Sequence, residues 1–359
     1  MPITDYKLFW EQNKECMDLR GSAPRIPVDL QLISDWIMGH MDADYVRYYT
    51  DCRYQQETRL ACGAITEKEL SCAIGPAIDF GVIQDASIYG GEFVCLDKAT
   101  PVLTGAVREP ADIDGLVERM ANIDIFNSGL IPRYFEWRGF IKREYGADMT
   151  YGASIQGCAT MMGQILGITN FLTWIMTEPE RIKNLIDCWY ETSVRYIDAM
   201  RRATGFASAG WFGIYSDLTG LLSPALYADF IQDKERMLYE RYAGGPDDIR
   251  FYHADYHMLH QLPALKAIGV NRVNIDPDAD CESILKLMPD VVIVGQIPPT
   301  SVLLYGTPED VRRCVKRDID QAGKTRSLII STAGGINPGT SIENLKAICD
   351  AAEEFGYYN

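Results

Sequence analysis

Short continuous apolar runs alternate with longer stretches of helical periodicity over the second half of the chain. The runs are Gly210–Tyr215, Ile249–His253, Val273–Ile275, Val291–Val294 and Ser327–Ile330. Each stops at small or polar residues: Ser216-Asp217, His253 itself, Asp276-Pro277, Gly295-Gln296 and Ser331-Thr332. Between them the pattern predicts helices over Pro224–Tyr242 and Cys281–Leu287, one capped by Thr307-Pro308-Glu309-Asp310 and running to Gly323, and a last one over Ser341–Phe355. Continuous Val/Ile runs imply strands buried on both faces, and strands alternating with helices imply a parallel sheet with right-handed crossovers. So many strands crowded into one half, each with a polar end, favour a closed (β/α)8 barrel over an open sheet.

The first half is less regular. Residues 5–20 predict an amphipathic helix ended by Gly21, with Pro24 and Pro27 preventing its continuation. Pro27–Leu30 predicts a short strand and Ser34–Met41 a helix. From about 50 to 105 the periodicity is lost, with Gly75-Pro76 and Gly90-Gly91 as punctuation. This stretch is expected to elaborate one end of the barrel. Helices follow over Pro110–Ile123 and Leu130–Tyr145, then a strand, Met149–Ile155, running into a Gly-flanked loop. Thr177-Glu178-Pro179-Glu180 predicts a capping box opening a helix whose apolar face is Ile182, Leu185, Ile186, Trp189, Val194 and Ile197, with Gly205 as its stop. The expected organisation is one α/β TIM-barrel domain over 1–359, with 1–105 partly an N-terminal helical and irregular elaboration.

Composition narrows the partners. A formal charge of −16 on 359 residues argues against binding a phosphate backbone or an anionic lipid surface. No run of about twenty apolar residues is available to span a bilayer, and the acidic, unpatterned N-terminus is unlike a signal peptide. The cytoplasm is the expected compartment. The ten cysteines include no C-x-x-C pair, so buried reduced thiols are expected, with neither a zinc knuckle nor a redox motif. The G-x-G-x-x-G and P-loop signatures are also absent from the sequence. Gly334-Gly335 reads as a tight turn.

The chemistry concentrates where Ile249-Arg250-Phe251-Tyr252 delivers His253, Ala254 and Asp255. The C-terminal end of a barrel strand is where such folds place catalysis. A single His there is more often a satisfied polar residue than a ligand, and His257 and His260 read as the surface of the following helix. Aromatic residues assigned to the mouth are Tyr151, Trp211, Tyr215, Tyr256 and Tyr305.

Three stretches resemble the uroporphyrinogen decarboxylase superfamily, which includes the cobalamin-dependent methyltransferases. They are Ser154-Ile155-Gln156-Gly157 through Leu166-Gly167 with the Thr-Glu-Pro-Glu helix; Leu221-Leu222-Ser223-Pro224 through Phe230, leading to His253; and Gly295-Gln296-Ile297 with Tyr305–Val311, Gly335–Thr340 and Glu343-Asn344-Leu345. Order and spacing carry the resemblance more than any single motif. The decarboxylase branch is distinguished by an arginine-rich element that holds propionates; here the matching region, Val28–Asp35, has no arginine.

In the methyltransferase branch, thiol-methylating members use His-x-Cys and a later Cys-Gly-Ile to bind zinc. The resemblance maps the His onto His253, the first Cys onto Asp255 and the second onto Gly334. Two thiolates suit activation of a third thiolate, whereas a carboxylate set leaves a harder, more electrophilic ion suited to polarising oxygen. Phenyl-ether demethylases, components I of O-demethylases, carry Glu, fourteen residues, Glu, twenty residues, His; the same register here gives Asp217, Gln232 and His253. Gln232 falls inside a predicted helix, so Asp255 stands as the third ligand with Gln232 the alternative.

The resemblance thus implies a methyltransferase moving methyl from an O-methyl, methoxylated aromatic substrate to cob(I)alamin on a separate corrinoid protein. Asp217, His253 and Asp255 would hold zinc. Tyr215 or Tyr256 would assist the departing oxygen, and Tyr151, Trp211, Gln296 and Tyr305 would contact substrate. The alternatives are a decarboxylase-like lyase, another metal-dependent barrel enzyme, or a binding subunit that has lost catalysis with its cysteines.

Overall fold

The strands fall into two groups. β1 (Glu92–Leu96) and β2 (Ala99–Thr104) form an antiparallel hairpin, while β3 (Ser154–Gln156), β4 (Trp211–Tyr215), β5 (Ile249–Ala254), β6 (Arg272–Ile275), β7 (Val292–Ile297) and β8 (Leu328–Thr332) lie in chain order in one parallel sheet. Val28 pairs in parallel with Ile330 of β8, and its neighbours complete the ladder: Asp29 N–H donates to the Ile330 carbonyl, and Ile330 N–H to that of Pro27. Between Val28 and β3 runs an extended segment whose Asp79 accepts a hydrogen bond from Ser34, and whose Ile78–Phe80 share a cavity wall with β3. Together these staves close a (β/α)8 barrel. This is a computed structural model, and it describes residues 3–19, 21, 23–104, 107–207 and 210–358.

Alternation along each stave separates two cores. Phe212, Ile214, Tyr252, Val273, Ile275 and Ile293 face outward into the layer of helices. Phe251, Val294 and Ile329 face the barrel axis with Trp211 and Tyr215 packed against them. Parity then sends His253, two residues beyond Phe251, to the inside. The five C-terminal strands match the sequence reading to within two residues, except that β7 runs on to Ile297, three beyond the expected Val294.

The first half departs further from expectation. The irregular stretch contains a long helix, Cys52–Leu70, whose buried side includes Gln55, Gln56, Thr58 and Thr66. Its buried amides serve the extended stave: Gln56 pairs with both the N–H and the carbonyl of Ala77, and Gln55 does the same for Asp79. A helix that buries polar groups against backbone has little apolar periodicity to read. The capping box at Thr177 does not form, because Thr177 ends the preceding helix, Ile168–Thr177, and its hydroxyl donates to the Thr173 carbonyl. The helix after it, Pro179–Thr204, starts without a side-chain cap. Thr307 and Asp310 do form the reciprocal box. The Gly-flanked loop after β3 is instead a helix, Cys158–Leu166, buried along nearly its whole length and therefore without an amphipathic signal.

Candidate metal centre at the barrel mouth

β4 and β5 pair so that Tyr215 lies beside His253, their rings 5.4 Å apart. One residue past Ser216, the chain turns into a short 3-10 helix, Asp217–Leu221, and Asp217 points back toward the end of β5. Its carboxylate accepts the N–H of Asp255 at 2.9 Å, tying the two strand ends together. His253 Nε2 then stands 3.8 Å from Asp217 Oδ1 and 3.5 Å from Asp255 Oδ1. Each residue of the three offers a ligand atom, and these atoms lie within 4.8 Å of one another.

That spacing suits an ion. Two ligand atoms at ordinary zinc distances of about 2.05 Å in a tetrahedron are roughly 3.3 Å apart. The nitrogen and oxygens are too far apart to bond one another well, yet close enough for one cation to bridge them. Asp255 is held above the ordinary carboxylate range chiefly by removal from water; His253 pulls it down, and repulsion from Asp217 and Asp276 pushes it up. A cation at this point would relieve that repulsion. The donor set of one imidazole and two carboxylates therefore fits zinc, and it is harder than a thiolate set.

Behind the cluster, His253 Nδ1 is 2.7 Å from Asn274 Oδ1 on the adjacent strand. Asn274 was not singled out from the sequence, where it reads as one more position in a short apolar run. Its signal would have been its parity, since it lies opposite His253 in the ladder and shares the inward face. Gly334 lies over the same corner with φ +94°, and a Cβ there would come within 2.6 Å of Asp255 Oδ1. The side-chain-free turn leaves the volume that the Asp255 carboxylate occupies.

Two cavities open beside the cluster. One, of about 520 Å³, has Asp217 and Tyr256 on its wall and is otherwise mostly apolar, with Val102 and Leu103 of the hairpin facing Ile165 and Leu166. Among the described residues, no Lys or Arg lines it. The other, about 200 Å³, lies between Tyr215, Tyr151, Gln156 and Asp85. Asp85 is buried, and desolvation raises it to about 6 despite hydrogen bonds from the Gln156 and Ala86 amides. Burial pushes the Tyr215 phenol up to about 12, so it remains an O–H donor at neutral pH. A larger cavity, about 710 Å³, opens at the opposite end of the barrel, where Ile249, Arg272 and Val292 stand. It has no part in this cluster.

The remaining assigned residues divide. Tyr151 and Tyr215 line the smaller cavity and Tyr256 the larger of the two at the mouth. Tyr305 is on the rim, 78% exposed, just after the turn of helix Pro299–Leu304, and lines neither. Trp211 corrects the expectation of a mouth residue: it begins β4 rather than ending it, and stacks on Phe251 in the barrel interior, over Gly213. Gln296 is another correction, fully buried with its amide donating to the carbonyls of Asp276 and Ala279, so it braces the loop after β6. Gln232 donates to the Ala264 carbonyl and stands apart from the cluster. His257 and His260 precede rather than open the next helix, Leu262–Ala267, and His260 meets the Leu222 carbonyl.

Fold and site together define a (β/α)8 barrel with an imidazole and carboxylate cluster at its C-terminal mouth. The chain belongs to the uroporphyrinogen decarboxylase (URO-D) family, whose profile matches residues 78–355. It is 27% identical over 285 residues to a methylated-thiol–coenzyme M methyltransferase of Methanosarcina mazei, covering 77% of this chain and 71% of the relative. A methylcobamide:CoM methyltransferase of Methanosarcina acetivorans is 22% identical over 296 residues, covering 78% and 79%. A uroporphyrinogen decarboxylase of Thermodesulfovibrio yellowstonii is 23% identical over 195 residues, covering 54% and 55%. Among solved structures, a methyltransferase from Methanosarcina mazei superposes with a TM-score of 0.70 at 18% identity, covering 97% of each chain.

Proposed function

We propose that this chain is a methyltransferase that moves the methyl group of an uncharged, methoxylated aromatic compound to the cob(I)alamin of a separate corrinoid protein, with zinc held by Asp217, His253 and Asp255. Methyl transfer is supported by the methyltransferases among its relatives. The observation that carries the ether substrate is the oxygen-rich donor set opening, through Asp217, onto an apolar cavity with no cationic residue among the described residues of its wall. Such a cavity gains by burying an aromatic ring and offers nothing to a sulfonate or to a propionate-bearing tetrapyrrole.

When bound, zinc supplies a Lewis acid for an oxygen that otherwise leaves poorly. The chain's own residues do the rest. Val102, Leu103, Ile165 and Leu166 hold the ring and exclude water. The O–CH3 bond breaks with its electron pair on oxygen, methyl is taken by the corrinoid's electron pair, and the phenolate gains a proton. Tyr256, on the wall of this cavity, is the proposed hydroxyl donor to that oxygen, with Tyr215, beside His253 on the smaller cavity, as the alternative.

The test is to supply zinc-loaded protein with methoxyarenes and a reduced corrinoid protein, following methyl–cobalt formation by absorbance. Methyl transfer from a neutral methoxyarene that falls at least about a hundredfold in Asp217→Ala supports the reading. Transfer only from methyl thiols, or none from any methyl ether, would overturn it.

A further inference from the structure

Asn274 is fully buried in β6 and touches four other elements of the site through one side chain. Its amide nitrogen donates to the carbonyls of Val294 in β7, at 2.5 Å, and Thr332 at the end of β8, at 2.8 Å. Its oxygen accepts the Gly334 N–H at 3.1 Å and faces His253 Nδ1 at 2.7 Å. These contacts settle which way the amide points. Turned over, it would set its oxygen against two carbonyls and its NH2 against the Gly334 N–H.

With the oxygen fixed, the imidazole has one compatible state on that side. A bare Nδ1 lone pair 2.7 Å from a carbonyl oxygen is repulsive, so Nδ1 carries the hydrogen and donates it. Nε2 of the neutral ring is then a lone pair, and it is the atom that faces Asp217 and Asp255. We propose that Asn274 is a positioning residue that holds His253 in the Nδ1–H tautomer and aims Nε2 at the two carboxylates, so that the imidazole is preset as a metal ligand. The same oxygen, through Gly334 N–H, fixes the turn that gives the Asp255 carboxylate its space. One side chain thereby sets two of three ligands, resting on the reading of this cluster as a metal centre. Partners of this kind raise affinity because the ligand need not be reoriented when the ion binds.

The test uses the full chain labelled with 15N-histidine, free of metal, at about pH 8.5, where an ordinary imidazole is neutral. Two-bond 1H–15N correlation reports which ring nitrogen bears hydrogen, and the His253 ring is the one whose signals vanish in His253→Gln. The expected result is Nδ1 protonated and Nε2 bare; an Nε2–H tautomer would overturn the proposal. In Asn274→Ala, with its circular dichroism checked, zinc affinity by chelator competition should fall about 10–100-fold. Affinity unchanged in that variant would also overturn it. Should wild type bind no zinc while showing Nδ1–H, the positioning of Nε2 stands and the zinc reading alone falls.

Discussion

At the scale of single residues, the site depends on what is missing at Gly334 as much as on what is present at Asp255. A methyl group at 334 would press on Asp255 Oδ1 at 2.6 Å, at a backbone angle that side chains seldom adopt. Gly334→Ala should therefore weaken zinc binding about tenfold or more. In an Asp255→Ala background it should cost little further, since the group it displaces is gone; a double-mutant cycle of zinc affinities measures this, and full additivity would disconnect the two. That Asp217, His253 and Asp255 lie together was legible partly because apolar runs end at or just before them, the sequence sign of a strand end, and partly because the family resemblance pointed to Asp217 and Asp255. Asn274 was not, because it sits within a run and acts by parity and depth. Trp211 and Gln296 were misplaced for a related reason: nearness to a strand end in sequence does not say which end, or whether a side chain points at the axis or braces a neighbouring loop.

At the scale of elements, buried polar groups decide two of the helices. Gln56 in Cys52–Leu70 satisfies both backbone groups of Ala77, so Gln56→Ala strands a donor and an acceptor. A loss of about 2–4 kcal/mol in denaturant unfolding is expected, against well under 1 kcal/mol for exposed Glu57→Ala. Glu235, in Gln232–Tyr242, is fully buried; its carboxylate accepts the Cys158 N–H and the Tyr227 hydroxyl. Desolvation raises it to about 7, against an ordinary value of 4.5, and the hydrogen bonds offset this only in part. The sign follows from which state keeps the proton. From pH 4.5 to about 7 the unfolded chain releases it while the folded chain retains it, so stability falls with rising pH and then levels off, by about 3 kcal/mol in all. Glu235→Gln, which keeps the shape without the charge, should be more stable than wild type at pH 8 by about 1–3 kcal/mol and should lose that advantage near pH 4.5. Parallel pH profiles would show that Glu235 is ionised freely in the fold. The helix predicted over Pro224–Tyr242 forms as two, Pro224–Phe230 and Gln232–Tyr242, whereas Cys52–Leu70 was not readable, because apolar periodicity records burial of carbon and is blind to burial of hydrogen-bonded amides.

For the whole molecule, the barrel was readable because its strands are buried on both faces and return in chain order, so continuous Val/Ile runs and capped helices sufficed. The elaboration was not, because one stave, Ile78–Phe80, is irregular and held by side chains instead of a ladder. Among the described residues no helix is long and apolar enough to cross a membrane. The barrel places the cluster at one end and leaves it open, as transfer to a second protein requires: 56% of the Asp255 side chain is exposed. A corrinoid partner docks over this mouth in the proposed reaction. Everything in that account passes through a metal at Asp217, His253 and Asp255. The most direct measurement is zinc content in protein purified without chelator, compared with His253→Ala of confirmed fold. About one zinc per chain in wild type, lost in the variant, is the expected result. Wild-type protein that neither retains zinc nor takes it up when titrated would contradict the account.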